Sequence, residues 1–139
     1  MHRVLVLLLM AGIADAGELP FRVVVHASNP VVSMTRAELS AIYMKRTRSW
    51  ADGSEIVPVD HAQLSPLRER FSRAVHGKSV AYVTRYWQRL IFSGRAVPPR
   101  ELRSDAAVLE LVRRHAEGIG YVDARTPLGE GVKAIAVRP

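Results

Sequence analysis

Phe21-Arg22-Val23-Val24-Val25-His26 is a β-branched run closed by Ser28-Asn29-Pro30, a pattern that predicts a buried strand leading into a turn. Thr35-Arg36-Ala37-Glu38 is a capping box, in which the Thr hydroxyl accepts from the backbone N–H three residues on and the Glu reaches back. Leu39, Ile42 and Tyr43 then repeat at helical spacing, so a helix is expected to run from this box to near Met44. Trp50-Ala51-Asp52-Gly53 supplies a turn, and Ile56-Val57-Pro58-Val59 a second strand whose proline marks an edge or a strand end.

Ser65-Pro66 gives an N-cap with Pro at the first helical position; Leu67, Phe71, Ala74 and Val75 form the stripe and Gly77 the stop. Ser79 caps the next helix, where Val83, Tyr86, Trp87, Leu90 and Ile91 form the apolar face, Arg85 and Arg89 lie off it, and Gly94 closes the element. Pro98-Pro99 mark a loop, and Ser104 caps a helix carrying Val108, Leu111 and Val112 on one face. Strands are expected over Gly118 to Val122 and Val132 to Val137. The order β-α-β-α-α-α-β-β leaves most strands too far apart for hairpins, which predicts an α/β layered sheet with flanking helices.

The N-terminus carries a separate signal. His2 and Arg3 precede an apolar run from Val4 to Ile13, followed by Ala14-Asp15-Ala16, the charged, apolar and small-x-small parts of a signal peptide. As a helix, the run would cover only about 15 Å of a roughly 30 Å hydrocarbon core, so it is not a membrane span. The expectation is a leader over residues 1–16, cut after Ala16, and one exported domain over residues 17–139, periplasmic or secreted and not membrane-spanning.

Composition then narrows the chemistry. The chain has no Cys, which removes disulfides, thiolate zinc sites and thiol nucleophiles. Its formal charge of +7 comes from 17 Arg and 3 Lys against 13 acids, a bias toward bidentate recognition of carboxylate or phosphate. The cations are scattered, an exported protein does not meet chromosomal DNA, and no zinc-finger, RNP or basic-zipper pattern appears, so no nucleic-acid partner is expected. His26, His61, His76 and His115 never fall at H-x-x-x-H spacing, so no metal site and no cofactor are expected; His115 continues its helix's stripe and is expected to be partly buried.

Several segments, in order, resemble one family. Asn29-Pro30, Met34-Thr35 and Ala41-Ile42-Tyr43-Met44-Lys45-Arg46 leading to Trp50 are similar to the "LT..L..IF.GK...W" segment of the phosphate-binding periplasmic proteins of ABC transporters. Ile56 to Val59, then Ser65 with Arg68 and Phe71, and Gly118-Ile119-Gly120-Tyr121-Val122, similar to "GAIGYV", extend the resemblance from Val23 to Val122. It implies a periplasmic-binding-protein-like (type II) fold. Family members are two-lobed and about twice this size, so the resemblance implies a single lobe. The other half of the cleft would have to come from a second copy or another protein.

The family's ligand loop, an Arg three residues before Gly-Ser-Gly-Thr, matches His61, Leu64, Ser65, Pro66 and Leu67 here. Pro66 deletes one N–H and Leu67 one hydroxyl from that cradle, whereas Ser65 and the helix start behind it persist as a generic anion site or as an ordinary N-cap. Arg68 leans over the same end or is simply solvated. Asp60 and His61 follow a strand end, where open α/β sheets place ligand sites. A Ser65-His61-Asp60 hydrolase is set aside, because adjacent Asp60 and His61 point apart and Ser65 sits in no G-x-S-x-G elbow. Trp87 and Tyr86 are expected in the core, and Tyr121 either faces a cleft or packs on a helix.

The expected function is non-catalytic binding of a small, phosphate-like anion for an ABC transporter or related system, with Ser65, Arg68, His61 and Asp60 as the ligand set. The alternative is an accessory protein-interaction module that has lost ligand binding and docks on a membrane transporter or sensor.

Overall fold

A computed structural model describes residues 18–139. The leader expected over residues 1–16 lies outside the described residues. Among the described residues no helix is long and apolar enough to cross a membrane.

Six strands form one sheet. They are β1 (Phe21–His26), β2 (Ser33–Thr35), β3 (Val57–His61), β4 (Arg100–Leu102), β5 (Gly118–Asp123) and β6 (Val132–Arg138), in the order β2-β6-β1-β5-β3-β4. β1 is antiparallel to both its neighbours, β5 and β6, and the remaining pairs are parallel. β1 sits in the middle because Val23, Val24 and Val25 give it apolar side chains on both faces, and all three are fully buried. β5 and β6 are consecutive in sequence yet flank β1, so the sheet contains no hairpin between them.

α1 (Arg36–Tyr43) and α2 (Pro66–Phe71) cover one face, where Leu39, Ile42, Tyr43 and Phe71 pack with Val23, Val25, Ile119 and Tyr121. α4 (Asp105–Arg114) covers the other, with Val108 and Val112 against Val24, Val59 and Val122. α3 (Val80–Phe92) packs off the sheet, setting Val83 and Trp87 on Met44 at the end of α1. Trp87 is thus in a small core, as its place on the stripe predicts.

Each helix starts where its cap predicts. The hydroxyls of Thr35, Ser65, Ser79 and Ser104 accept from the backbone N–H three residues on, at 3.1, 3.4, 3.1 and 3.1 Å. The second helix is less regular than its stripe implies: after Phe71 it widens into a π-helical turn, Ser72–His76, before Gly77 stops it at φ 65°. β2 and β4 were not anticipated. Each is a three-residue edge strand defined by its sheet neighbour. Pro58 is a strand-end proline: it pairs with Ile119 on β5, while β4 begins only opposite Val59, so the missing N–H costs no ladder bond there.

His115 departs from expectation. α4 ends at Arg114, His115 is its C-cap in an extended conformation, and the ring is exposed rather than continuing the stripe. Gly120 explains how closely α4 lies on the sheet. A Cβ there would meet Val108 Cγ1 at 2.5 Å and Val59 Cγ2 at 3.0 Å, so this glycine is a packing position under the helix.

Candidate functional site

The C-terminal end of β3 places Asp60 and His61 on opposite faces of the sheet, because successive strand residues alternate. Asp60 faces α1 and α2. Its Oδ1 accepts from the His61 backbone N–H at 2.9 Å and from the Tyr121 hydroxyl. Arg68, one turn into α2, brings its Nε to 3.5 Å from the same oxygen, and its Nη1 donates to the His61 carbonyl at 2.9 Å and to Glu101 Oε1 at 2.5 Å. Asp60, His61 and Arg68 are all buried.

Arg68 is therefore not a solvated first-turn arginine. Its aliphatic stem and guanidinium are enclosed, and two carboxylates from two strands compensate its charge, the condition under which a buried cation is tolerated. Glu101 is the partner that sequence reasoning missed. It lies on β4, two residues after Pro98-Pro99, where no apolar alternation announces a strand.

His61 turns toward α4. Its Nε2–H donates to the Tyr121 carbonyl at 2.8 Å, which fixes the tautomer, and Asp105 Oδ1 lies 3.6 Å from the same nitrogen. Asp105 itself closes the β5 end, its Oδ2 accepting from Asp123 N at 3.0 Å and from Thr126 Oγ1 at 2.6 Å. Ser65 Oγ caps α2 and makes no hydrogen bond to His61 or Asp60 among the described residues. Ser65, His61 and Asp60 thus reach three different neighbourhoods, with no proton relay between them.

Tyr121 packs inside rather than facing a cleft. It stacks on Phe71 with ring centroids 3.8 Å apart, Phe21 and Tyr43 meet this pair edge-on, and its hydroxyl ends on Asp60. Burial raises the Asp60 carboxyl above its ordinary range, while the Arg68 charge and the Tyr121 hydroxyl bond pull it back down. Burial, and then the charge of Asp60, push the Tyr121 and Tyr43 hydroxyls up, so both remain protonated donors. Tyr43 uses its proton on the Val59 carbonyl at 2.8 Å.

Two further histidines are engaged by serine hydroxyls: His26 Nδ1 is 2.7 Å from Ser28 Oγ and His76 Nδ1 is 2.7 Å from Ser40 Oγ. Among the described residues no three His, Asp or Glu side chains are grouped so as to hold a metal ion.

No family model and no curated protein matches the chain. Solved structures do. An ABC-type phosphate transport receptor from Vibrio cholerae matches 85% of this chain at 20% identity with a TM-score of 0.67, over 46% of its own length. A protein from Clostridium perfringens, described as a phosphate ABC transporter substrate-binding protein with bound phosphate, matches 85% at 20% identity and 0.66, over 44% of its length. A possible phosphate binding protein from Planctomyces limnophilus matches 85% at 16% identity and 0.65, over 41%. The chain spans less than half the length of each of these proteins. At such identities the likeness is one of fold: this chain is a single-lobe α/β domain that resembles the substrate-binding proteins of phosphate ABC transporters.

Proposed function

We propose that the chain is an exported, non-catalytic solute-binding domain that holds a small oxyanion such as phosphate for an ABC transporter or related system. The observation that carries this reading is the fold shared with phosphate-transport receptors over 85% of the chain. The oxyanion would lie at the C-terminal ends of β3 and β4, between the Ser65 hydroxyl at the start of α2 and the Arg68 guanidinium beside Asp60, while the His61 ring, turned toward α4, stays outside this contact set. Leader removal after Ala16 would deliver the domain to the periplasm, and a second lobe, from another copy or another protein, would close the site.

The charge balance defines how such a site works. Asp60 and Glu101 together outweigh Arg68, so an incoming anion reaches the guanidinium only by displacing Glu101. Glu101 is the mobile partner, since its side chain is 43% exposed whereas that of Asp60 is enclosed. Calorimetric titration of parent and Ser65→Ala proteins with phosphate tests the reading. Saturable binding weakened by the substitution supports it, and equal affinity in both removes Ser65 from the site.

One observation favours the second reading, an accessory module that docks on a membrane transporter or sensor. Leu64 and Phe92 are each 97% exposed, and the chain between Glu69 and Glu101 carries six Arg, one Lys and no acid. Capture of a transporter or sensor subunit by the parent, lost in a Leu64→Asp, Phe92→Asp variant, would favour docking over solute binding.

A further inference from the structure

A second concave site lies at the opposite end of β3, where the loop before that strand meets the C-terminal ends of α1 and α3. It has a volume of about 360 Å³, within the range of roughly 300 to 1,000 Å³ usual for small-molecule sites. Its walls are apolar: Ile42, Ile56, Pro58, Ile91 and Val97. Two of these are unusually open, Ile91 at 52% and Val97 at 67% exposure, although both belong to a wall that a ligand would cover.

The rim is cationic. Lys45, Arg48 and Arg95 line the same site, with Glu55 as its one acid. Among the described residues none of these three cations forms an ion pair, in contrast to Arg68, Arg73, Arg113, Arg114 and Arg125. Arg48 is oriented by its own backbone neighbourhood, its Nε donating to the Lys45 carbonyl at 3.1 Å.

Lys45 adds an independent observation. It occupies the position after the α1 C-cap at φ 54°, with its N–H on the Ile42 carbonyl and the Arg46 N–H on the Ala41 carbonyl. This is the helix-ending motif whose left-handed residue is ordinarily glycine, and Lys45 is the one non-glycine residue with positive φ among those described. A side chain there is destabilising, and strain of this kind concentrates at functional positions.

We infer that this site binds a small amphiphilic organic anion, an aliphatic or aromatic carboxylate, with the carboxylate between Lys45, Arg48 and Arg95 and the apolar part against Ile56, Pro58, Ile91 and Val97. Bare phosphate would satisfy the rim and gain nothing from the walls, and an uncharged alcohol the reverse. The site is separate from the Ser65–Arg68 loop and does not depend on the function proposed for that loop.

The test uses octanoate as probe, with octanol and inorganic phosphate as the two half-ligands, read by methyl NMR of Ile91 and Val97 and by calorimetry. Octanoate is expected to saturate and shift both methyl sets, while octanol and phosphate do neither. Arg48→Gln and Arg95→Gln are each expected to weaken octanoate about tenfold, and Glu55→Gln to tighten it severalfold. Lys45→Gly is expected to weaken octanoate as Lys45→Gln does while raising the melting temperature, since glycine relieves the left-handed strain. Octanol binding as well as octanoate, or all four charge variants binding like the parent, would overturn the proposal. So would absence of octanoate binding in a protein that sediments with phosphatidylglycerol vesicles, which would make the patch a membrane face.

Discussion

Glu101→Gln is the substitution that most sharply separates an occupied anion site from an open one. Glu101 Oε1 sits 2.5 Å from Arg68 Nη1, and glutamine keeps the shape and one acceptor while removing the charge. For an oxyanion about 5 Å from that carboxylate, an effective dielectric of about 20 gives roughly 3 kcal/mol of repulsion. Half-exposure of Glu101 and salt screening reduce this to about 1 to 2 kcal/mol, or roughly 5- to 30-fold in affinity. The same change removes one of the two carboxylates that compensate buried Arg68, but Asp60 remains and glutamine keeps an acceptor for Nη1, so the expected loss of stability is about 1 to 2 kcal/mol and the fold survives. Calorimetric titration with phosphate at low ionic strength is the assay. Tighter binding by the variant, with the gain shrinking as salt is added, is the expected result. Equal affinity in the two proteins at low salt would refute the idea that Glu101 competes with the ligand for Arg68.

Other consequences concern the fold around the site. Gly120→Ala drives a Cβ against Val108 and Val59 and is expected to destabilise by about 1 to 3 kcal/mol in urea denaturation, and an unchanged midpoint would show that α4 does not depend on this close approach. Tyr121→Phe keeps the stack on Phe71 but strips a donor from buried Asp60, for an expected loss of about 1 to 3 kcal/mol; a loss under about 0.5 kcal/mol would show that the remaining donors suffice. Burial, then the charges of Arg68 and Arg46, hold His76 down to about 4. The unfolded ring titrates near 6.5, so the unfolded state binds the extra proton between these values. Stability is therefore full above about pH 6.5 and falls by up to about 3 kcal/mol as pH drops toward 4. His76→Gln should flatten that window in chemical denaturation, and a slope that persists in the variant would assign it to other groups.

Where a signal was local, it was readable. Thr35, Ser65, Ser79 and Ser104 start helices because a cap needs only a hydroxyl and the next turn of backbone, and all four hydroxyls are so engaged. β1 was readable for the related reason that three consecutive valines demand burial on both faces. β2 and β4 were not, since three residues carry no periodicity and their strand geometry comes from β6 and β3. At the candidate site, Asp60, His61 and Arg68 were identifiable from the strand end and the helix start. Their geometry was not: Arg68 is buried because Asp60 and Glu101 converge on it from separate strands, a tertiary fact. Tyr121 was ambiguous in sequence because the glycines before it, Gly118 and Gly120, serve ligand approach and helix approach equally, and here α4 takes the space at Gly120.

The most direct test of the central claim is calorimetric titration of the purified chain with phosphate, beside sulfate and chloride at matched ionic strength. Saturable heat with phosphate, absent with sulfate and chloride and strengthened by Glu101→Gln, is what a solute-binding domain with an Arg68-centred site predicts. No heat at millimolar phosphate in either the parent or the Glu101→Gln protein would contradict it.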